Sequence, residues 1–166
     1  MKTTKIALAL CSAILAFSSH AEVSKKDQEF LQKAAAGGLY EVEAGGLAQS
    51  KGQSEAVKSF GAMLVKDHTA ANDEIKTLAA SKGVALPATV PTPKKKRLEK
   101  ISADKNFDKE FVKEVGLDDH KEDIRLFENA SNDADDADVK AFATKTLPTL
   151  KAHREHAEGL RSSHGR

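Results

Sequence analysis

The stretch 54–82, SEAVKSFGAMLVKDHTAANDEIKTLAASK, decides the fold. Within it Val57, Gly61, Leu64, His68, Ala71, Ile75 and Leu78 follow one another at spacings of 4-3-4-3-4-3. On a helix of 3.6 residues per turn that spacing lines up one continuous face. Gly83 and Pro87 come directly after: a glycine adopts the left-handed conformation that closes a helix, and a proline cannot continue one. The pattern returns near the end of the chain through Val139, Ala143, Thr146, Leu150, His153, Ala157 and Leu160. It predicts a helix over about 136–161, which Pro148 should bend.

Two further helical segments complete the set. Ser24-Lys25-Lys26-Asp27 resembles a helix-starting capping box with Asp in place of Glu. The run it opens reaches about Ser50 and stops near Gly52. Small residues dominate it, among them Ala34, Ala35, Ala36, Gly37, Gly38, Ala44, Gly45, Gly46 and Ala48. Glycine weakens a helix, so such a run makes sense where a neighbouring backbone comes close. The third segment spans about 106–129 with Phe107, Phe111, Val115, Leu117, Ile124 and Phe127. Its apolar residues occupy two faces, and Gly116 is the expected kink.

The connection over 84–103 is the long one. It holds Pro87, Pro91, Pro93 and the run Lys94-Lys95-Lys96-Arg97, read as a solvated linker or a weak contact with anionic surfaces. Residues 98–101 suit a short helix. Asn132 to Asp136 reads as a turn with acidic capping residues, since the aspartates there lack the Gly and closing Glu of a calcium loop. Four helices of roughly 25 residues, with short turns inside each pair, make an all-α protein whose expected form is an antiparallel four-helix bundle. Val57-Lys58-Ser59-Phe60 leading to His68, and Val139-Lys140-Ala141-Phe142 leading to His153, form a faint internal echo.

Composition agrees. Of 166 residues 40% are hydrophobic, 31% charged and only 5% aromatic, with no Trp and one Tyr. That excludes a disordered chain and disfavours an aromatic-rich nucleic-acid module. Met1 to Ala21 has the parts of a secretory signal: Lys2 and Lys5, the apolar run Ile6–Phe17, and Ser19-His20-Ala21 as a small-x-small cleavage site. The apolar run is too short to serve as a transmembrane anchor. Cleavage between Ala21 and Glu22 leaves residues 22–166 as one domain and predicts a periplasmic or otherwise exported protein. Leu10 stands where a small residue should precede a lipidated Cys11, so ordinary cleavage is the better reading. It removes the only cysteine, and with Lys2 and Lys5 gone the formal charge moves from +1 to −1. No disulfide, thiol nucleophile or nucleic-acid partner is expected. Peripheral association with the envelope is left open, and so is any protein partner.

Each stripe carries one ionisable residue where an apolar one belongs. His68 sits between Leu64 and Ala71, His153 between Leu150 and Ala157, and His120 among Leu117, Ile124 and Phe127. In the first segment Glu41 lies in the stripe Phe30, Ala34, Gly37, Glu41, Ala44, Ala48. A buried carboxylate or imidazole needs a partner. Glu41, His68, His120 and His153 converging between helices would suit one divalent transition metal such as Zn, Fe, Mn or Cu. The competing reading is a hydrogen-bonded polar core without metal, which could also sense pH. Asp67, Asp119 and Asp123 either orient imidazoles or face water, and His156 reads as a surface group. No phosphate loop, nucleophile elbow or His-Glu-x-x-His motif is present, so no enzymatic activity is expected.

The run Ala34-Ala35-Ala36-Gly37-Gly38-Leu39-Tyr40-Glu41-Val42, then Val57-Lys58-Ser59-Phe60, Met63 and Asp67-His68-Thr69, resembles the bacterial domain of unknown function 4142. So do Phe107-Asp108, His120, and Ala141-Phe142-Ala143 through Leu147-Pro148-Thr149-Leu150 to His153. The resemblance covers about Asp27 to Leu160. It implies an exported, ferritin-like helical bundle with no established activity. Ferritins proper place Glu-x-x-His on two helices, whereas Val65, Leu117 and Leu150 stand three residues before the histidines here. Di-iron oxygen chemistry is therefore disfavoured, and a mononuclear histidine-rich site stays open.

Overall fold

A computed structural model describes residues 23–164; the expected signal over 1–21 lies outside the described residues. The described residues are helical and contain no strand: α1 (Lys25–Lys51), α2 (Glu55–Ser81), α3 (Thr92–Ser102), α4 (Phe107–Phe111), a π-helical segment (Val112–Asp119), α5 (His120–Asp133) and α6 (Ala137–His164). None of these helices is long and apolar enough to cross a membrane.

Local chemistry sets the ends. The hydroxyls of Ser24 and Ser54 accept from the backbone N–H groups of Asp27 and Val57, at 3.3 and 3.2 Å, each satisfying a donor that the first turn leaves free. Gly83 closes α2 at φ 69°. Asp136 accepts from the N–H groups of Asp138 and Val139, so the acidic turn caps α6 as expected. Two buried aspartates tie distant turns together. Asp27 accepts from the N–H groups of Asp135 and Asp136, and Asp108 from those of Gln53 and Ser54.

Helix α1 packs along α2 with backbones close enough that a Cβ added at Gly45 would lie 2.6 Å from the Gly61 carbonyl oxygen. This is the close approach that the small residues of α1 require. Residues 107–133 form one rod, α4–π–α5, packed against α6. The expected kink at Gly116 is instead a π-helical stretch. Widening the helix shifts the phase of the side chains that follow, which explains why the apolar pattern straddled two faces. Pro148 lies inside the single helix α6.

The interior has two apolar clusters. One gathers Tyr40, Ala44, Phe60, Leu64, Phe111, Val115 and Ala157, and the other Phe30, Leu31, Ile75, Phe127, Phe142 and Leu150. Every long element crosses from one cluster to the other. α1 and α6 run in one sense, α2 and the rod in the opposite sense, so the link from α2 to the rod must travel back along the molecule. It does so with Val84 and Leu86 against one cluster and Val90, Leu98 and Ile101 in the other. The link thus carries a longer helix than 98–101, and its basic run is only half solvated: Lys95 and Lys96 are exposed, while Lys94 and Arg97 turn inward. Arg97 pairs with Asp119 at 2.7 Å and with Glu114 at 2.8 Å, and the Lys94 ammonium lies 4.3 Å from the Tyr40 ring centre. The four polar residues of the stripes all fall at the crossing between the two clusters.

Candidate metal centre

Three helical elements each deliver one imidazole to this polar layer. His68 comes from α2, His120 from the first position of α5 directly after the π segment, and His153 from α6. They are 6%, 0% and 1% exposed. The ring centres of His68 and His120 are 5.8 Å apart, while His153 lies 5.3 Å from both. One nitrogen of each ring falls within 4.8 Å of the other two. The three could hold a metal ion. Metal–nitrogen bonds of about 2.0–2.1 Å place ligand nitrogens about 3.3–3.6 Å apart, so modest ring movement brings the set to ligating distance.

The outer edges of two rings fix where the lone pairs point. His120 Nδ1 donates to the Val115 carbonyl oxygen at 2.8 Å. His153 Nε2 donates to Asp67 Oδ2 at 2.9 Å. A carbonyl and a carboxylate only accept, so each holds the proton on the outer nitrogen and leaves the inner one bare. The two inner nitrogens, His120 Nε2 and His153 Nδ1, then face each other at 3.2 Å. Two lone pairs at that distance repel unless a proton or a cation lies between them. His68 Nε2 is buried with no hydrogen-bond partner among the described residues.

Burial works against the proton. It pushes His120 down to about 4, with His153 adding to the effect and the Val115 carbonyl opposing it. Burial, together with the two neighbouring imidazoles, holds His68 well below its ordinary value. His153 is also lowered by burial, although the Asp67 carboxylate pulls the other way. At neutral pH the site is three neutral imidazoles, the form a metal requires.

Glu41 is at the same level but in a different position. Its carboxyl is fully buried, both oxygens lack a hydrogen-bond partner among the described residues, and Oε1 lies 4.0 Å from His120 Nδ1. That is the nitrogen turned away from the other two imidazoles. The structure therefore groups three of the four expected residues and sets Glu41 behind one of them. Burial, with Asp123 and Asp119 nearby, raises Glu41 well above the usual carboxyl range. Asp119 is buried and paired with Arg97. Asp123 lines a cavity of about 20 Å³ shared with His68 and Asn72, and burial pushes its carboxyl up to about 7. His156 is exposed, as expected, and its ring stacks on Phe60 at 5.3 Å and 7°. The Val115 carbonyl escaped sequence reasoning because a backbone oxygen has no residue-type signal; only the π register brings it to His120.

The family model described as "Domain of unknown function (DUF4142)" matches residues 13–160. No curated protein matches the chain. Among solved structures, the fold is similar to a DUF305 fragment from Deinococcus radiodurans, with TM-score 0.74 and 12% identity over 86% of this chain and 99% of that one. It is also similar to CopM in the Cu(I)-bound form, with TM-score 0.70 and 14% identity over 82% of this chain and 96% of that one.

Proposed function

We propose that this chain, which belongs to the DUF4142 family, is an exported four-helix bundle of ferritin-like topology that holds one transition-metal ion on His68, His120 and His153. Its role is metal handling or stress tolerance in the cell envelope, without turnover. The observation that carries the reading is the pair of inward lone pairs on His120 and His153 at 3.2 Å, each forced inward by an acceptor on the far side of its ring. A cation satisfies both, and the orphaned His68 Nε2 as well.

Cu(I) is the first candidate. Three neutral imidazoles bring no charge to a buried site, and a monovalent ion loses less hydration on burial than a divalent one. The similar fold of CopM carries Cu(I) in its solved form. Zn(II), which favours a fourth ligand, ranks second. Glu41 then serves as a buried neutral neighbour of His120.

The test is elemental analysis of untagged mature protein purified from the periplasm, alongside His68→Leu. The parent should carry about one metal per chain. His68→Leu should carry none, and its metal-free form should be as stable as the parent or more so. Removing an unsatisfied buried nitrogen in favour of an apolar side chain relieves a penalty of about 1–3 kcal/mol. A metal-free parent that stays so after incubation with Cu(I), Zn, Fe and Mn would refute the reading.

A second reading has the same 3.2 Å contact in its favour. With one shared proton, His120 and His153 form a hydrogen bond, and the protein is a metal-free interaction or structural bundle. That form predicts stability indifferent to chelator.

A further inference from the structure

The α2–α6 seam brings solvent to the edge of the histidine layer. Asp67, whose side chain is 31% exposed, reaches His153, which is 1% exposed. The seam is antiparallel and in register. Glu74 meets Lys145 at 2.8 Å, Asp67 meets His153 at 2.9 Å, and Phe60 stacks on His156. As the number on α2 falls, the number on α6 rises. Met63 stands four residues before Asp67 and eleven before Glu74, so the three share one flank of α2. The register therefore sets half-buried Met63, which packs against the edge of one apolar cluster, at the level of exposed His156, one helical turn along the seam from Asp67 and His153.

We propose that Met63 and His156, with the Asp67 carboxylate at the lip, form an outer loading site through which the metal ion reaches the buried histidines. This route rests on the reading of His68, His120 and His153 as the inner site. A thioether and an imidazole are the donors a soft ion such as Cu(I) prefers. The Phe60 ring holds the His156 imidazole flat against it rather than leaving it free to rotate. Asp67 adds the negative charge that draws a cation in. The opposite side of the layer is guarded by cations. Lys94 lies 3.8 Å and Arg97 2.7 Å from the buried Asp119, and an incoming metal ion would meet their charge first. Above and below, the two apolar clusters close the way.

Transfer inward exchanges one coordinate bond for another. The bonds to Met63 Sδ and His156 break as bonds to His153 Nδ1, His120 Nε2 and His68 Nε2 form. The ion keeps its oxidation state, and any proton held on an inner nitrogen, whether between His120 Nε2 and His153 Nδ1 or on His68 Nε2, passes to solvent as the ion takes its place.

The experiment compares the untagged mature protein with its Met63→Leu/His156→Asn double variant, supplying Cu(I) as its bicinchoninate complex and following uptake by loss of the complex's colour. The variant should load at least about tenfold more slowly yet reach the same final stoichiometry and the same equilibrium affinity. An unchanged rate would overturn the route. So would a fall in final stoichiometry or affinity, since the two residues would then belong to the resting site. If the parent itself takes up no Cu(I), the inner-site reading fails first and the route with it.

Discussion

Metal affinity should fall far less between pH 7.5 and 5 than three ordinary imidazoles would allow, and the reason is the depth of the site. Protons compete with the metal for the imidazole lone pairs, and each ligand weakens binding only once pH drops below its own pKa. An imidazole in water, with a pKa of about 6.5, would lose about 30-fold per ligand at pH 5, and three such ligands would lose on the order of 10⁴-fold. His120 is held at about 4, so its share of the competition at pH 5 is only about 10%. His68 and His153 are displaced in the same direction by burial. The sign is fixed: lowered pKa values leave the lone pairs free to more acid pH than in water, and His120 gives up its share only as pH approaches 4. The assay is a competition titration of the untagged protein against a chelator of known proton affinity, in steps between pH 7.5 and 3.5. A tenfold fall per pH unit beginning near pH 6.5 would refute the argument, because it would assign the metal to ligands in open water rather than to the buried set.

Further outcomes follow from the same geometry. Asp67→Ala should weaken metal binding about 10–100-fold by removing the carboxylate that orients His153. The lower end is expected because Asp67 is 31% exposed. An unchanged dissociation constant would mean that the ring is held by packing alone. Gly45→Ala would press a methyl group to 2.6 Å from the Gly61 carbonyl and 2.9 Å from Val65 Cγ2. Overpacking of about 1–3 kcal/mol against a helix-propensity gain of about 1 kcal/mol leaves a net loss of up to about 2 kcal/mol in urea unfolding; a gain in stability would show the α1–α2 contact to be looser than described. Asp123→Asn should stabilise the metal-free protein at pH 8 and not at pH 4. The Asp123 carboxyl is raised from its ordinary 3.8 to about 7, so its contribution is full below its unfolded value and lost as pH rises through 7. The upper bound on the gain is about 4 kcal/mol, and thermal melts at the two pH values would expose a wrong sign.

Much of the architecture was legible in the chain because helices are local. The 4-3 stripes through Leu64 and Leu150, the serine cap at 24, and Gly83 followed by Pro87 report on neighbours within one or two turns, and the described helices begin and end within a few residues of where those signals stand. The three histidines were legible for the same reason: an ionisable residue inside an apolar stripe is conspicuous at any position. Their meeting was not. Whether His68, His120 and His153 share a level depends on how far each helix slides along its neighbours and on the phase change that the π segment introduces before His120. Both are settled by packing between residues far apart in sequence. The same cause moved Lys94 and Arg97 from an expected linker onto Tyr40 and Asp119, set Glu41 behind His120 rather than inside the nitrogen cluster, and supplied the Val115 carbonyl and the Asp67 carboxylate that turn two lone pairs toward each other. Periodicity determined which residues face inward. Only the tertiary structure decided which of them meet, because burial is written into a helix face whereas register is a property of the contact between faces.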